Sequence, residues 1–377
     1  MLSSWGTLPL FSLVGVSETP ASLAFKAIDH LVLRIGLFGI GLILLGMVVA
    51  VLGARTVSEP VAKLFAGTSK ISQGDFSVKL EVDSKDEIGV LSDSFNYMAG
   101  KIVFYMQEIK EKTRMENELA VAQIVQQSFF PKADKAPAGI KISGHHESAS
   151  ECGGDWWTVM EWGDKVALCV GDATGHGVPP ALVTAVSFSC LNVLKGLGDQ
   201  DEGKMLPSPK FVLERLNDSI ATMGGSILMT FFMAVYDTKT GIITYSNASH
   251  NPPYLVRPSG SMGTPSKGDV MLLAGEQGPR LGEQANIGYH EHQMALKEDD
   301  LLVFLTDGIL EARSSNGREY GERRLLKEVL RNYAEDPKNA ISRILDDVQT
   351  FLAGAKFDDD ITLVLAKIID QRVGKET

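Results

Sequence analysis

Val166-Ala167-Leu168-Cys169-Val170-Gly171-Asp172-Ala173-Thr174-Gly175-His176-Gly177 carries a short apolar strand into an aspartate set beside glycine. The pattern recurs at Gly153-Gly154-Asp155, at Leu305-Thr306-Asp307-Gly308 and at Phe357-Asp358-Asp359-Asp360-Ile361-Thr362. One Asp-Gly pair is usually a turn. Four such sites change the reading, because an aspartate that ends a buried strand must be desolvated unless something pairs with its charge. No Arg or Lys stands near three of them in sequence. A divalent cation satisfies several carboxylates at once, and the neighbouring glycines let the backbone approach it.

Carboxylates without accompanying His or Cys are hard ligands, which select Mg2+ or Mn2+ over Zn2+. More of them than one ion needs points to two ions, a pair able to activate a shared water and neutralise phosphoryl oxygens. That chemistry needs no side-chain nucleophile. No Gly-x-Ser-x-Gly motif is present, and no Gly-rich loop ending in Lys-Ser/Thr, which disfavours nucleotide hydrolysis.

Around these aspartates the chain reads as short strands. They fall at Trp156 to Trp162, Val166 to Val170, Thr230 to Tyr236, Ile242 to Asn247, Leu301 to Thr306 and Ile361 to Ile368. Helices are expected at Pro179 to Leu194, Pro209 to Met223, Glu322 to Tyr333 and Ala340 to Leu352. Hairpin-linked strands with helices inserted in bulk give an α+β class, antiparallel sheets covered by helices. Pro131 and the Ala/Lys/Pro stretch after it mark where this domain begins.

The 377 residues, 44% of them hydrophobic and 22% charged, describe a folding chain of two or three units. A net charge of -11 leaves no basic excess to displace phosphate counterions, so nucleic acid is excluded as the main partner. Cys152, Cys169 and Cys190 are too few for a disulfide framework or a thiolate zinc site.

Ile35 to Ala54 holds no charge and is long enough to cross a bilayer. Basic residues on its two sides nearly balance and leave its orientation open. Before it, Leu10 to Val16 reads as one strand followed by a turn at Ser17-Glu18-Thr19-Pro20. This leader, residues 1–30, resembles the tail of an extracytoplasmic sensor. After the span, Val61, Leu64, Thr68 and Ile71 form a helical stripe that Gly74-Asp75 ends. A second helix opens near Asp83 or Ser84. Its apolar positions, Ile88, Leu91, Phe95, Met98, Ile102, Tyr105 and Ile109, alternate three and four apart. That is the seam of a coiled coil, and the simplest way to bury it is a parallel homodimer.

The span, the helix with Pro60, the Gly74-Asp75 connector, Asp86-Glu87-Ile88-Gly89 and Phe95-Asn96-Tyr97-Met98 together resemble a HAMP signalling module over residues 55–107. The resemblance places the C-terminal part of the chain in the cytoplasm. Glu118 to Gln127, ending at Pro131, resembles the regulatory linker that precedes a particular phosphatase domain. Residues 139–370 resemble that domain itself, the PPM-type serine/threonine phosphatases of the bacterial sporulation and stress-response branch (SpoIIE-like). The blocks that carry the resemblance begin with Gly153-Gly154-Asp155-Trp156 and Val170 to Gly177. Asn247-Ala248-Ser249-His250-Asn251-Pro252-Pro253, Thr306-Asp307-Gly308 with Glu311-Ala312, Tyr320-Gly321-Glu322 and Asp359-Asp360-Ile361-Thr362 follow in the family's order.

The resemblance implies an αββα sandwich behind a transmembrane helix (31–54), the HAMP coiled coil and a helical linker (108–131). It implies that Asp172 bridges two Mn2+ or Mg2+ ions, with Asp307 and Asp359 completing one shell. Asp155 and the backbone carbonyl of Ala173 complete the other, and Asp360, ranked below Asp359, ligates through water. Three departures stand out: Thr158 where relatives carry an acid or amide, Ser249 in place of Gly, and Arg280 in an otherwise apolar turn. His176 is read as orienting the following helix, His250 and Asn251 as structural, and Cys152 as inert. Trp156 and Trp157 are expected to divide between core and site edge.

The function expected is a phosphatase of the inner membrane, single-pass, its catalytic domain cytoplasmic. It removes phosphate from serine or threonine of a STAS-type anti-sigma-factor antagonist. Its other partners are a second copy of itself, through HAMP and linker, and membrane lipid. The alternative is a catalytically idle metal-binding module that docks such a protein. A HAMP-linked phosphodiesterase lacks the expected motifs.

Overall fold

The computed structural model describes residues 2–8, 13–131, 134–137, 139–200, 207–225, 227–259 and 265–369. The chain divides into two compact units, residues 1–114 and 115–377.

In the first unit β1 (Leu2–Leu8) and β2 (Leu13–Thr19) pair antiparallel, Leu2 opposite Thr19. The strand expected from Leu10 is therefore displaced. Residues 10–12 lie outside the described residues, and Ser17 to Thr19 extend the strand instead of turning, because β1 offers them a ladder. α1 (Ala21–Gly53) runs through a π-helical turn (Ala54–Ser58) into α2 (Glu59–Ser72). The widened turn lies just ahead of Pro60, whose ring has no N–H and crowds the carbonyl four residues back. Among the described residues, two helical stretches are long and apolar enough to cross a membrane. In Ala21–Ser72 none of the most apolar window is buried, whereas Val178–Leu197 is partly covered by the fold.

α3 (Glu87–Gln127) is one helix of 41 residues. Asp86 starts it, its Oδ1 accepting from the Ile88 N–H at 3.0 Å and from Gly89 at 3.3 Å. A side chain at Gly89 would overlap the Ser84 carbonyl oxygen, so this turn admits only glycine. Ahead of it the connector is held by Asn96. Its Oδ1 accepts from Leu80 N–H (2.8 Å) and its Nδ2 donates to Leu80 O (2.9 Å), while Leu80 lies over Gly67 of α2.

The second unit opens with β3 (Ile140–Glu147), β4 (Asp155–Trp162) and β5 (Lys165–Ala173). Then come α4 (Val178–Gln200), α5 (Pro209–Ala221), β6 (Met229–Asp237), β7 (Ile242–Ala248), β8 (Tyr254–Val256), β9 (Val270–Leu272) and β10 (His292–Ala295). β11 (Leu301–Leu305), α6 (Asp307–Glu311), α7 (Glu322–Arg331), α8 (Pro337–Leu352) and β12 (Ile361–Ile368) complete it. Two antiparallel sheets form, in the orders β10-β7-β6-β5-β4 and β3-β12-β11-β8-β9.

Side-chain alternation along the strands builds three cores. Trp157, Val170, Phe232, Leu302 and Val364 meet between the sheets. Trp156, Phe231, Leu213 and Leu216 lie under α4 and α5, and Val303, Leu363, Leu325 and Ile344 under α7 and α8. The layers are thus αββα. Trp156 and Trp157 do divide, but between two cores rather than between core and site edge, because neighbours on a strand face opposite ways.

Candidate metal centre

The register of β4 with β5 sets Asp155 opposite Asp172 at one end of the first sheet. In the second sheet β11 pairs with β12 up to Leu305 opposite Leu363, so Asp307 leaves one strand just where Asp359 and Asp360 lead into the other. The two sheets are tied at this end through Asp155. Its Oδ2 accepts from the hydroxyls of Thr306 (2.6 Å) and Thr362 (2.7 Å), and the Thr362 N–H donates to Thr306 Oγ1 (3.0 Å).

Asp360 is used by the backbone. Its carboxylate accepts from the N–H groups of Ala149 (2.8 Å), Gly154 (2.6 Å) and Asp155 (3.5 Å) and so anchors the loop that leads into β4. Three glycines permit this closeness. A Cβ on Gly154 would overlap the Ala173 carbonyl oxygen, one on Gly308 the Asp360 carbonyl oxygen, and one on Gly153 the Asp360 carboxylate. At these positions the requirement is space.

The carboxylates repel one another. Burial, then Asp307, Asp359 and Asp360, push Asp172 up to about 7. Asp155 is likewise raised well above the usual carboxylate range, first by burial and then by Asp172, against the two threonine hydroxyls. Burial and Asp359 raise Asp307, and burial raises Asp360 against its three backbone donors. No basic side chain is among these causes. An all-oxygen donor set of mutually repelling, desolvated carboxylates with a backbone carbonyl alongside fits hard divalent cations. Among the described residues no three acidic or imidazole side chains are yet close enough to hold an ion between them. The electrostatic fit is present; the closed cage is not.

Other expected residues have defined places. His250 is buried, Nδ1 on the Thr230 hydroxyl (2.8 Å) and Nε2 on Leu305 O (3.1 Å), which braces the strand end before Asp307. Ser249 has φ 54°, the left-handed region that favours glycine, and its hydroxyl donates to Gly278 O at 2.8 Å. Arg280 is half-buried and pairs with Glu283, and Thr158 is buried. His176 is exposed between Gly175 and Gly177, both at positive φ. Burial pushes the Cys152 thiol up, which disfavours its reactive thiolate.

One contact is not announced by any sequence motif. Gln126, near the end of α3, donates through Nε2 to Gly153 O (2.7 Å) and Thr184 Oγ1 (3.2 Å), and accepts from Gly153 N–H (3.2 Å). It is buried and grips the backbone two residues before Asp155. Its only trace in the sequence is an amide in phase with the apolar stripe of the preceding helix.

A family model described as stage II sporulation protein E (SpoIIE) matches residues 163–369, and one for the HAMP domain matches residues 52–103. Protein IcfG of Synechocystis is 26% identical over 335 residues, 81% of this chain and 50% of its own, so the chain spans half the length of that relative. The phosphoserine phosphatase RsbU of Bacillus subtilis is 23% identical over 266 residues, 69% of this chain and 71% of its own. Among solved structures, the SiaA-PP2C domain of Pseudomonas aeruginosa has the same fold, with a TM-score of 0.57 at 19% identity, covering 69% of this chain and 99% of that one.

Proposed function

Because this chain belongs to the SpoIIE family, we propose that it is a membrane-anchored, metal-dependent phosphatase that removes phosphate from serine or threonine of a protein. The observation that supports this most is the set of buried and half-buried, mutually repelling carboxylates that both sheets deliver to one end of the sandwich, with no basic side chain among the causes of their shifts. In this reading Asp172 contacts both ions. Asp307 and Asp359 belong to one, Asp155 and the Ala173 carbonyl to the other, and Asp360 acts through water and through the loop it anchors. Two Mn2+ or Mg2+ ions supply an activated water and neutralise phosphoryl oxygens. The protein's own part is to hold the carboxylates: Thr306 and Thr362 orient Asp155, His250 braces the strand before Asp307, and Gln126 fixes Gly153.

The substrate in this reading is a phosphorylated regulator of the STAS type, in keeping with the phosphoserine phosphatase RsbU as a relative. α1 anchors the chain in the cytoplasmic membrane, with the catalytic domain in the cytoplasm. Leu91, Met98, Tyr105 and Ile109 of α3, each more than half exposed in the single chain, form the seam of a parallel homodimer.

Full-length protein in detergent, given a phosphoserine peptide, should release phosphate with Mn2+ or Mg2+ and fall to background in chelator. Equal rates in chelator would end this reading. A peptide that binds without release of phosphate would point instead to the idle docking module.

A further inference from the structure

β3 and β12 pair in a register that sets His146 directly opposite Thr362. Counting by twos along β3 puts His146 on the face of Ile140 and Ile142, which packs between the sheets. A polar ring in that row must find partners inside the protein, since a buried donor or acceptor left unmade costs about 1–3 kcal/mol. His146 finds two: Nδ1 lies 3.1 Å from Thr362 Oγ1 and Nε2 lies 3.0 Å from Ser148 Oγ. The ring also lies flat on Phe130, just past the end of α3, with centroids 4.4 Å apart and planes 15° from parallel.

The donors and acceptors can be ordered. Once a bound ion keeps Asp155 ionised, it only accepts, so the single hydroxyl hydrogen of Thr362 points to Asp155 Oδ2, 2.7 Å away. Thr362 Oγ1 can then only accept from His146, which places the imidazole hydrogen on Nδ1. A neutral ring has one N–H, so Nε2 accepts from the Ser148 hydroxyl. Burial first, and then neighbouring His145, push this imidazole down to about 4 against a backbone hydrogen bond with Ile361, so the ring is neutral at pH 7.

We infer that His146 is a positioning residue for Asp155. Held as the Nδ1–H tautomer under Phe130, it locks the hydroxyl of Thr362 so that its hydrogen points at Asp155 Oδ2. The other oxygen of that carboxylate is then presented to an ion. This inference rests on the reading of Asp155 as a ligand. A group that hydrogen-bonds a ligand, as Thr362 does, typically changes metal affinity by about 10–100-fold when lost, and His146 acts through it.

The protein labelled with 15N-histidine, in detergent at pH 7 with saturating Mg2+, should give a two-dimensional 1H–15N pattern of the Nδ1–H tautomer for one ring. That pattern should be the one absent from His146→Asn. An Nε2–H or a charged pattern for His146 would overturn the assignment. Calorimetric titration with Mn2+ then tests the consequence. His146→Leu should bind roughly tenfold more weakly, whereas His146→Asn, whose amide can donate from near the Nδ1 position, should stay within about threefold of the parent. Thr362→Val should match His146→Leu and Thr362→Ser should restore affinity, which covers a His146→Leu that fails to fold. Equal affinity in Leu and Asn variants, weak or strong, contradicts the role. If the parent chain binds no Mn2+, the reading of Asp155 fails instead, whereas Mn2+ binding with the wrong tautomer overturns this inference alone.

Discussion

β11 carries an aspartate at each end, and the two are treated in opposite ways. Asp300, just before the strand, is fully buried and held by Arg257, whose Nε donates to Oδ1 at 2.9 Å and to Oδ2 at 3.2 Å. Asp307, just after it, meets Asp359 and Asp172 and no basic group among the causes of its shift. A buried carboxylate with its own guanidinium is complete. A cluster without one is not, and the missing positive charge has to come from solution. On the proposed reading, this difference separates the structural end of the strand from the metal-binding end.

The sharpest way to break the comparison is one substitution at each end. Asp172→Asn should lower phosphopeptide turnover on the order of a thousandfold, several kcal/mol of lost charge stabilisation in the transition state, while its melting temperature in chelator does not fall. Asp300→Ala should do the reverse. It strands Arg257 and costs about 3–5 kcal/mol in denaturant unfolding, with turnover per folded molecule unchanged. If the two variants lost stability alike, the site would be an ordinary buried network.

A third expectation is smaller. Mn2+ at a hundred times its dissociation constant should stabilise the phosphatase unit by about 2.7 kcal/mol for a single site, seen as a rise in melting temperature. Asp172→Asn should remove the rise and Asp300→Ala should keep it. A fourth expectation concerns pH. Asp172 is raised from 3.8 to about 7, so the folded state binds more protons than the unfolded chain between those values. In chelator its contribution to stability therefore falls as pH rises from about 4 to about 7. Saturating Mn2+ or Asp172→Asn should flatten that slope in a pH series of thermal melts.

How far the sequence carried this account depends on the range over which each feature is formed. Strands such as Ile361–Ile368 were legible because their apolar runs are local and bounded by turns. β3 was not, since Gly144, His145 and His146 interrupt its alternation. β8, β9 and β10 are three or four residues long, too short to show a period. At the N-terminus the pairing of Leu2 with Thr19 settled the strand bounds, and no local pattern reports a register. The aspartates could be found because each lies beside its own glycine at a strand end. The contacts that orient them could not: His146 and Thr362 are 216 positions apart, and Gln126 lies 27 before Gly153. Their meeting is a property of the assembled sandwich.

The most direct test is a Mn2+-soaked crystal measured at the manganese absorption edge. Two anomalous peaks are expected at the Asp172 end of the sandwich, both in contact with Asp172, one also with Asp307 and Asp359 and the other with Asp155. Peaks elsewhere, or none at saturating Mn2+, would contradict the assignment of that end as the place where the protein's missing positive charge is bound.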